Sequence, residues 1–79
     1  MSNIHIPKAR IIQPDGIRYL ISEYHYTKED AEWYVNMLIS KMEKYIGMKR
    51  RGERIASLMT LEQMEIQLIN MKKFTVEEL

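Results

Sequence analysis

Tyr26-Thr27-Lys28-Glu29-Asp30-Ala31-Glu32-Trp33-Tyr34-Val35 is the stretch on which the fold turns. The Thr27 hydroxyl can accept a backbone N–H from a first helical turn, and Asp30, three residues on, can reach back to the Thr27 N–H. Tyr26 can pack on Ala31 across the helix start. Beyond this point Ala31, Tyr34, Val35, Leu38, Met42, Tyr45 and Ile46 recur at helical spacing, with Trp33, Met37, Ile39 and Met48 on the flanks. Glu29, Glu32, Asn36, Ser40, Glu43 and Gly47 form the polar stripe. A helix apolar over more than half its girth is usually buried on two sides. Lys49-Arg50-Arg51-Gly52 then reads as a stop, with cations suiting the negative end of the dipole and glycine the position past the end. One amphipathic helix over residues 28–51 is expected.

Working back from Thr27, residues 3–26 read as extended. Gln13-Pro14-Asp15-Gly16 is a turn signal, because Pro presets the first torsion, Asp stabilises the turn and Gly takes the left-handed position. A three-residue hairpin loop there pairs Gln13 with Ile17, and the register runs outward through Ile11 with Tyr19, Ala9 with Ile21, Pro7 with Glu23 and His5 with His25. Pro7 cannot donate a ladder bond, so the first strand is expected at an edge or interrupted there. Neither face of the hairpin is clearly polar, and two strands alone are not stable in water, so one face must cover a helix.

Working forward, the Thr27 phrase recurs as Met59-Thr60-Leu61-Glu62-Gln63 and Phe74-Thr75-Val76-Glu77-Glu78. Residues 53–72 form a second helical region, with Leu61, Met64, Leu68 and Met71 as its stripe and a possible break near 57–60 marked by Thr60. The third copy is read as a terminal helical turn over residues 74–79, with Phe74 able to staple onto Leu79. Phe74-Thr75-Val76-Glu77-Glu78-Leu79 resembles the opening of the first helix in small bacterial helix-turn-helix proteins of the excisionase and MerR type. The resemblance covers six residues and no recognition helix follows, so it implies a helix start and not DNA binding. The intervals between the three copies differ in length and pattern, which excludes a tandem repeat.

The fold class expected for the single domain 1–79 is therefore α+β. It is an N-terminal two-stranded antiparallel β-hairpin packed on a long amphipathic helix, followed by one or two C-terminal helices. A chain of 79 residues buries a small core and gains from further burial against a partner. It has no cysteine, which removes disulfides, thiolate metal sites and a Cys nucleophile together. No charged-then-apolar leader or long apolar run is present, and the expectation is a cytoplasmic protein with no membrane association. The net charge of +1 exerts no global pull toward nucleic acid.

Chemistry-bearing patterns are sparse. His5, Glu23 and His25 fall on one hairpin face near its open end, but no fourth ligand or ligand spacing accompanies them, so no metal is expected. There is no glycine-rich phosphate loop and no Ser/His/Asp arrangement. Glu29/Glu32 and Glu62/Glu65 read as solvated helix charges. The densest charge cluster is Lys44, Lys49, Arg50, Arg51 and Arg54, a basic corner after the long helix that reads first as a C-terminal cap with solvated charge. Met42 and Met64 read as core, while Trp33, Met37, Met48 and Met71 are candidates for a surface that meets another chain, together with Tyr19 and Ile21 of the hairpin. The expected function is that of a small non-enzymatic interaction module without cofactor. It would bind a protein partner or a second copy as a regulator or inhibitor, and a phage-encoded protein acting on a host protein fits this size and composition. The alternative is a nucleic-acid-binding regulator that uses the basic corner.

Overall fold

Thr27 starts the long helix as its sequence implies. In a computed structural model that describes residues 6–14 and 22–79, Thr27 is extended and its Oγ1 accepts the Asp30 N–H at 3.1 Å. The helix, α1, runs Lys28–Arg50. Its far end is closed by hydrogen bonds from Gly52 N–H to the Lys49 carbonyl (3.0 Å) and from Glu53 N–H to the Met48 carbonyl (2.9 Å). These are the two bonds of a Schellman cap, and Gly52 supplies the positive φ, 78°, that the motif requires. A helix of 23 residues is about 34 Å long, so α1 is the spine of the molecule.

A three-stranded antiparallel sheet covers the first half of that spine. Its strands are β1 (Ala9–Ile12), β2 (Tyr24–His25) and β3 (Thr75–Glu78), in the order β2-β1-β3. Ala9 and Ile11 are fully buried and join Ala31 and Val35 of α1 and Phe74 in one core cluster, with Tyr34, Leu38, Ile39, Met42 and Val76 packed around it. Burying Ile11 alone contributes roughly 2–3 kcal/mol. Arg10 and Ile12, on the other face of β1, are only half-buried.

The second helix, α2 (Leu61–Met71), covers the other half of α1. Thr60 caps it with a full capping box: Gln63 N–H donates to Thr60 Oγ1 at 3.1 Å, and Thr60 N–H donates to Gln63 Oε1 at 2.9 Å. Met64 and Met71 are buried and Leu61 and Leu68 half-buried, so the expected stripe is the one that packs. Arg50, at the end of α1, pairs with Glu65, and Met71 reaches the core cluster around Ala31, so the two helices run antiparallel. The result is elongated, 52 × 28 × 18 Å, with a radius of gyration of 15.0 Å. A compact chain of this length would have about 12 Å.

The α+β class holds, and four details of the expected architecture change. The segment 74–79, read as a helical turn, is strand β3; it pairs Ile12 with Thr75, Ile11 with Val76, Arg10 with Glu77 and Ala9 with Glu78. Phe74 follows a tight turn in which its N–H donates to the Met71 carbonyl, and its buried ring anchors the strand. As a consequence β1 is the central strand and not an edge. Pro7 precedes the ladder, whose first N–H donor here is Lys8, bonded to the His25 carbonyl, so the missing donor costs nothing. Third, β1 pairs with β2 four residues out of the expected register, with Ala9 opposite His25 and not Ile21. A slip of four is even, so each side chain keeps its expected face. The hairpin tip Asp15-Gly16 and its continuation to Ile21, like His5, lie outside the described residues. Last, residues 53–60 are not helical: Gly52 ends one helix, the Ser57 hydroxyl accepts the Met59 N–H at 3.2 Å, and α2 begins only at its own cap.

Candidate functional site

A groove of about 480 Å³ opens at the corner where β2 passes into α1. Its walls are Pro7, Ser22, Tyr24, His25, Tyr26, Asp30, Trp33 and Tyr34. The corner follows from local rules. Tyr24 and His25 are strand residues, Thr27 turns the chain into α1, and one helical turn later Trp33 and Tyr34 return beside them. The floor is held by hydrogen bonds: the Tyr34 hydroxyl accepts the Ser22 N–H at 3.3 Å, and His25 Nε2 lies 2.8 Å from the Ser22 carbonyl, to which it donates. The His25 and Tyr34 rings contact each other at 5.0 Å between centroids, tilted by 45°. Above this floor the rings of Tyr24, Tyr26 and Trp33 stand 51%, 57% and 66% exposed.

What such a site can do is stack, exclude water and hydrogen-bond. The Ser22 hydroxyl faces the Tyr24 carbonyl at 3.5 Å and His25 faces a carbonyl, so neither forms a nucleophile–base pair with the other. Among the described residues no group of three His, Asp or Glu side chains is placed to hold a metal ion; of the trio considered above, Glu23 and His25 are described and His5 is not.

Of the six residues expected to meet a partner, the four that are described do not form one surface. Trp33 lies in the groove. Met37 is half-buried on α1, and Met48 lines a separate hollow of about 280 Å³ with Tyr45, Ile55, Ala56 and Ser57 at the other end of the helix. Met71 is a correction: it is 6% exposed and belongs to the core, as its place on the Met64–Leu68 stripe implies. Tyr19 and Ile21 lie outside the described residues. The basic corner forms, but part of its charge is spent internally. Arg50 pairs with Glu65 and Arg51 with Glu53 at 2.6 Å, while Lys44, Lys49 and Arg54 have no ion pair among the described residues.

Sequence reasoning missed Tyr24, Tyr26, Asp30 and Tyr34 as partners of Trp33. The available signal was density: Tyr24, Tyr26, Trp33 and Tyr34 are four of the chain's aromatic residues, which number one Trp, five Tyr and one Phe, and all four fall within residues 24–34. No helix among the described residues is long and apolar enough to cross a membrane. No protein-family model matches the chain, and neither a curated protein nor a solved structure is significantly similar to it.

Proposed function

We propose that this chain is a small non-enzymatic protein-interaction module, a regulator or inhibitor of a larger protein, and that the aromatic groove is its contact surface. The observation that carries this reading is the exposure of Tyr24, Tyr26 and Trp33 around one concave site. Tyr and Trp are the residues that supply most of the energy at protein interfaces, and a patch of them rimmed by polar groups is the usual mark of a docking site. The alternative use of the basic corner on nucleic acid is weakened by the pairing of Arg50 and Arg51 with carboxylates.

Affinity capture from host lysate with wild-type and Trp33→Ala protein tests the reading. A single partner retained by wild type and lost by the variant, with circular dichroism unchanged, is the expected result. Unfolding of the variant would place Trp33 in the core, and retention of the partner would move the interface elsewhere; either removes the groove from this role.

A further inference from the structure

We propose that the groove seats a cationic side chain, a lysine or arginine carried on a basic segment of the partner protein. The inference rests on the interaction reading above and names the chemistry of what is bound. Tyr24, Tyr26 and Trp33 each expose more than half of their surface around the site, Trp33 the most, and an aromatic face attracts a cation through its quadrupole. Asp30 lines the same groove. Its backbone N–H is used by the Thr27 cap, while its exposed carboxylate has no ion-pair partner among the described residues.

The segment that supplies most of the groove carries charge of the matching sign. Between residues 22 and 34 there are four acids, Glu23, Glu29, Asp30 and Glu32, against one base, Lys28. Glu32 meets Lys28 at 3.8 Å and Glu23 meets Arg10 at 3.5 Å, while Glu29 and Asp30 have no ion pair among the described residues. One of the rings already receives a cation from within the chain, since the Arg10 guanidinium lies 5.9 Å from the Tyr24 centroid. Arg10 is outside the groove lining and is answered by Glu23, so it leaves the Asp30 side open. At about 480 Å³ the site has room for several residues of a peptide around the cation.

Trp33 is the only tryptophan in the chain and sits in the groove, so its fluorescence reports directly on occupancy. The probes are a capped Gly-Lys-Gly-Lys-Gly peptide, the same peptide with norleucine for lysine, and capped pentaproline. The lysine peptide is expected to give a saturable change that weakens with added salt, and to bind about tenfold more tightly than the norleucine peptide. Asp30→Asn, which leaves the backbone cap intact, should lower lysine-peptide affinity by roughly five- to tenfold without altering circular dichroism. Equal or tighter binding of the norleucine or proline peptide, indifference to Asp30→Asn, or no response to any probe at millimolar concentration would each overturn the cation inference. A lysate partner still lost on Trp33→Ala would leave the interaction reading standing. Concentration-dependent dimerisation abolished by Arg50→Ala with Arg51→Ala would instead make a second copy the occupant and overturn the assignment to a separate partner.

Discussion

Met59-Thr60-Leu61-Glu62-Gln63 and Phe74-Thr75-Val76-Glu77-Glu78 follow the same five-residue pattern and end in different structures. At Thr60 the hydroxyl and the Gln63 amide exchange both hydrogen bonds of a capping box, and α2 follows. At Thr75 the chain is a strand. The difference lies in what the neighbouring residues bury. After Thr60, Leu61, Met64, Leu68 and Met71 recur at helical spacing and give α2 a face to lay on α1. Around Thr75 the alternation is strict: Phe74 buried, Thr75 exposed, Val76 half-buried, Glu77 exposed. A threonine cap is worth about 1 kcal/mol. Burial of Phe74 contributes roughly 2–3 kcal/mol, and the open side of β1 satisfies the backbone as well. A start signal therefore decides the outcome only where the apolar period agrees with it.

Substitutions at matched positions of the two segments separate these contributions. Phe74→Ala should destabilise the protein by about 3–5 kcal/mol in urea unfolding, whereas Met59→Ala, at a half-buried position, should cost less than half as much. Equal losses would mean that the apolar residue before the threonine plays one role in both places. Thr60→Ala should cost about 1 kcal/mol, with the loss visible as faster amide exchange in the first turn of α2. At Thr75, where no cap exists, the same change should stay within about 0.5 kcal/mol; a larger loss would argue that the hydroxyl caps something after all. Smallest among the changes that still reverse a contact, Glu77→Lys puts like charges opposite each other at the Arg10 pair and should cost roughly 0.2–1 kcal/mol. Unaltered stability there would show that β3 is held by Phe74 and backbone pairing alone.

Legibility followed the range of the interaction. Both ends of α1 could be read from a few adjacent residues, Thr27 with Asp30 at one end and Gly52 after three cations at the other, because each cap is completed within one turn. The hairpin register could not. Pro14-Asp15-Gly16 suggests a loop that would set Ala9 opposite Ile21, yet Ala9 pairs with His25. The core faces survived the slip because it was even. Trp33 was identifiable as a surface residue, but its companions were scattered in the reading between a strand, a cap and a helix. They became one site when the turn at Tyr26-Thr27 folded Tyr24 back beside Tyr34.

The sequence by itself determined the extent of α1 and the apolar stripe by which α2 packs on it, because caps and helical periodicity act over three to seven residues. Only the tertiary structure decided that β1 is central, that residues 75–78 form a strand and that an aromatic groove opens beside Asp30. Each of these depends on a meeting between distant parts of the chain. Ile11 faces Val76 across the ladder, and no local preference at either residue specifies the other.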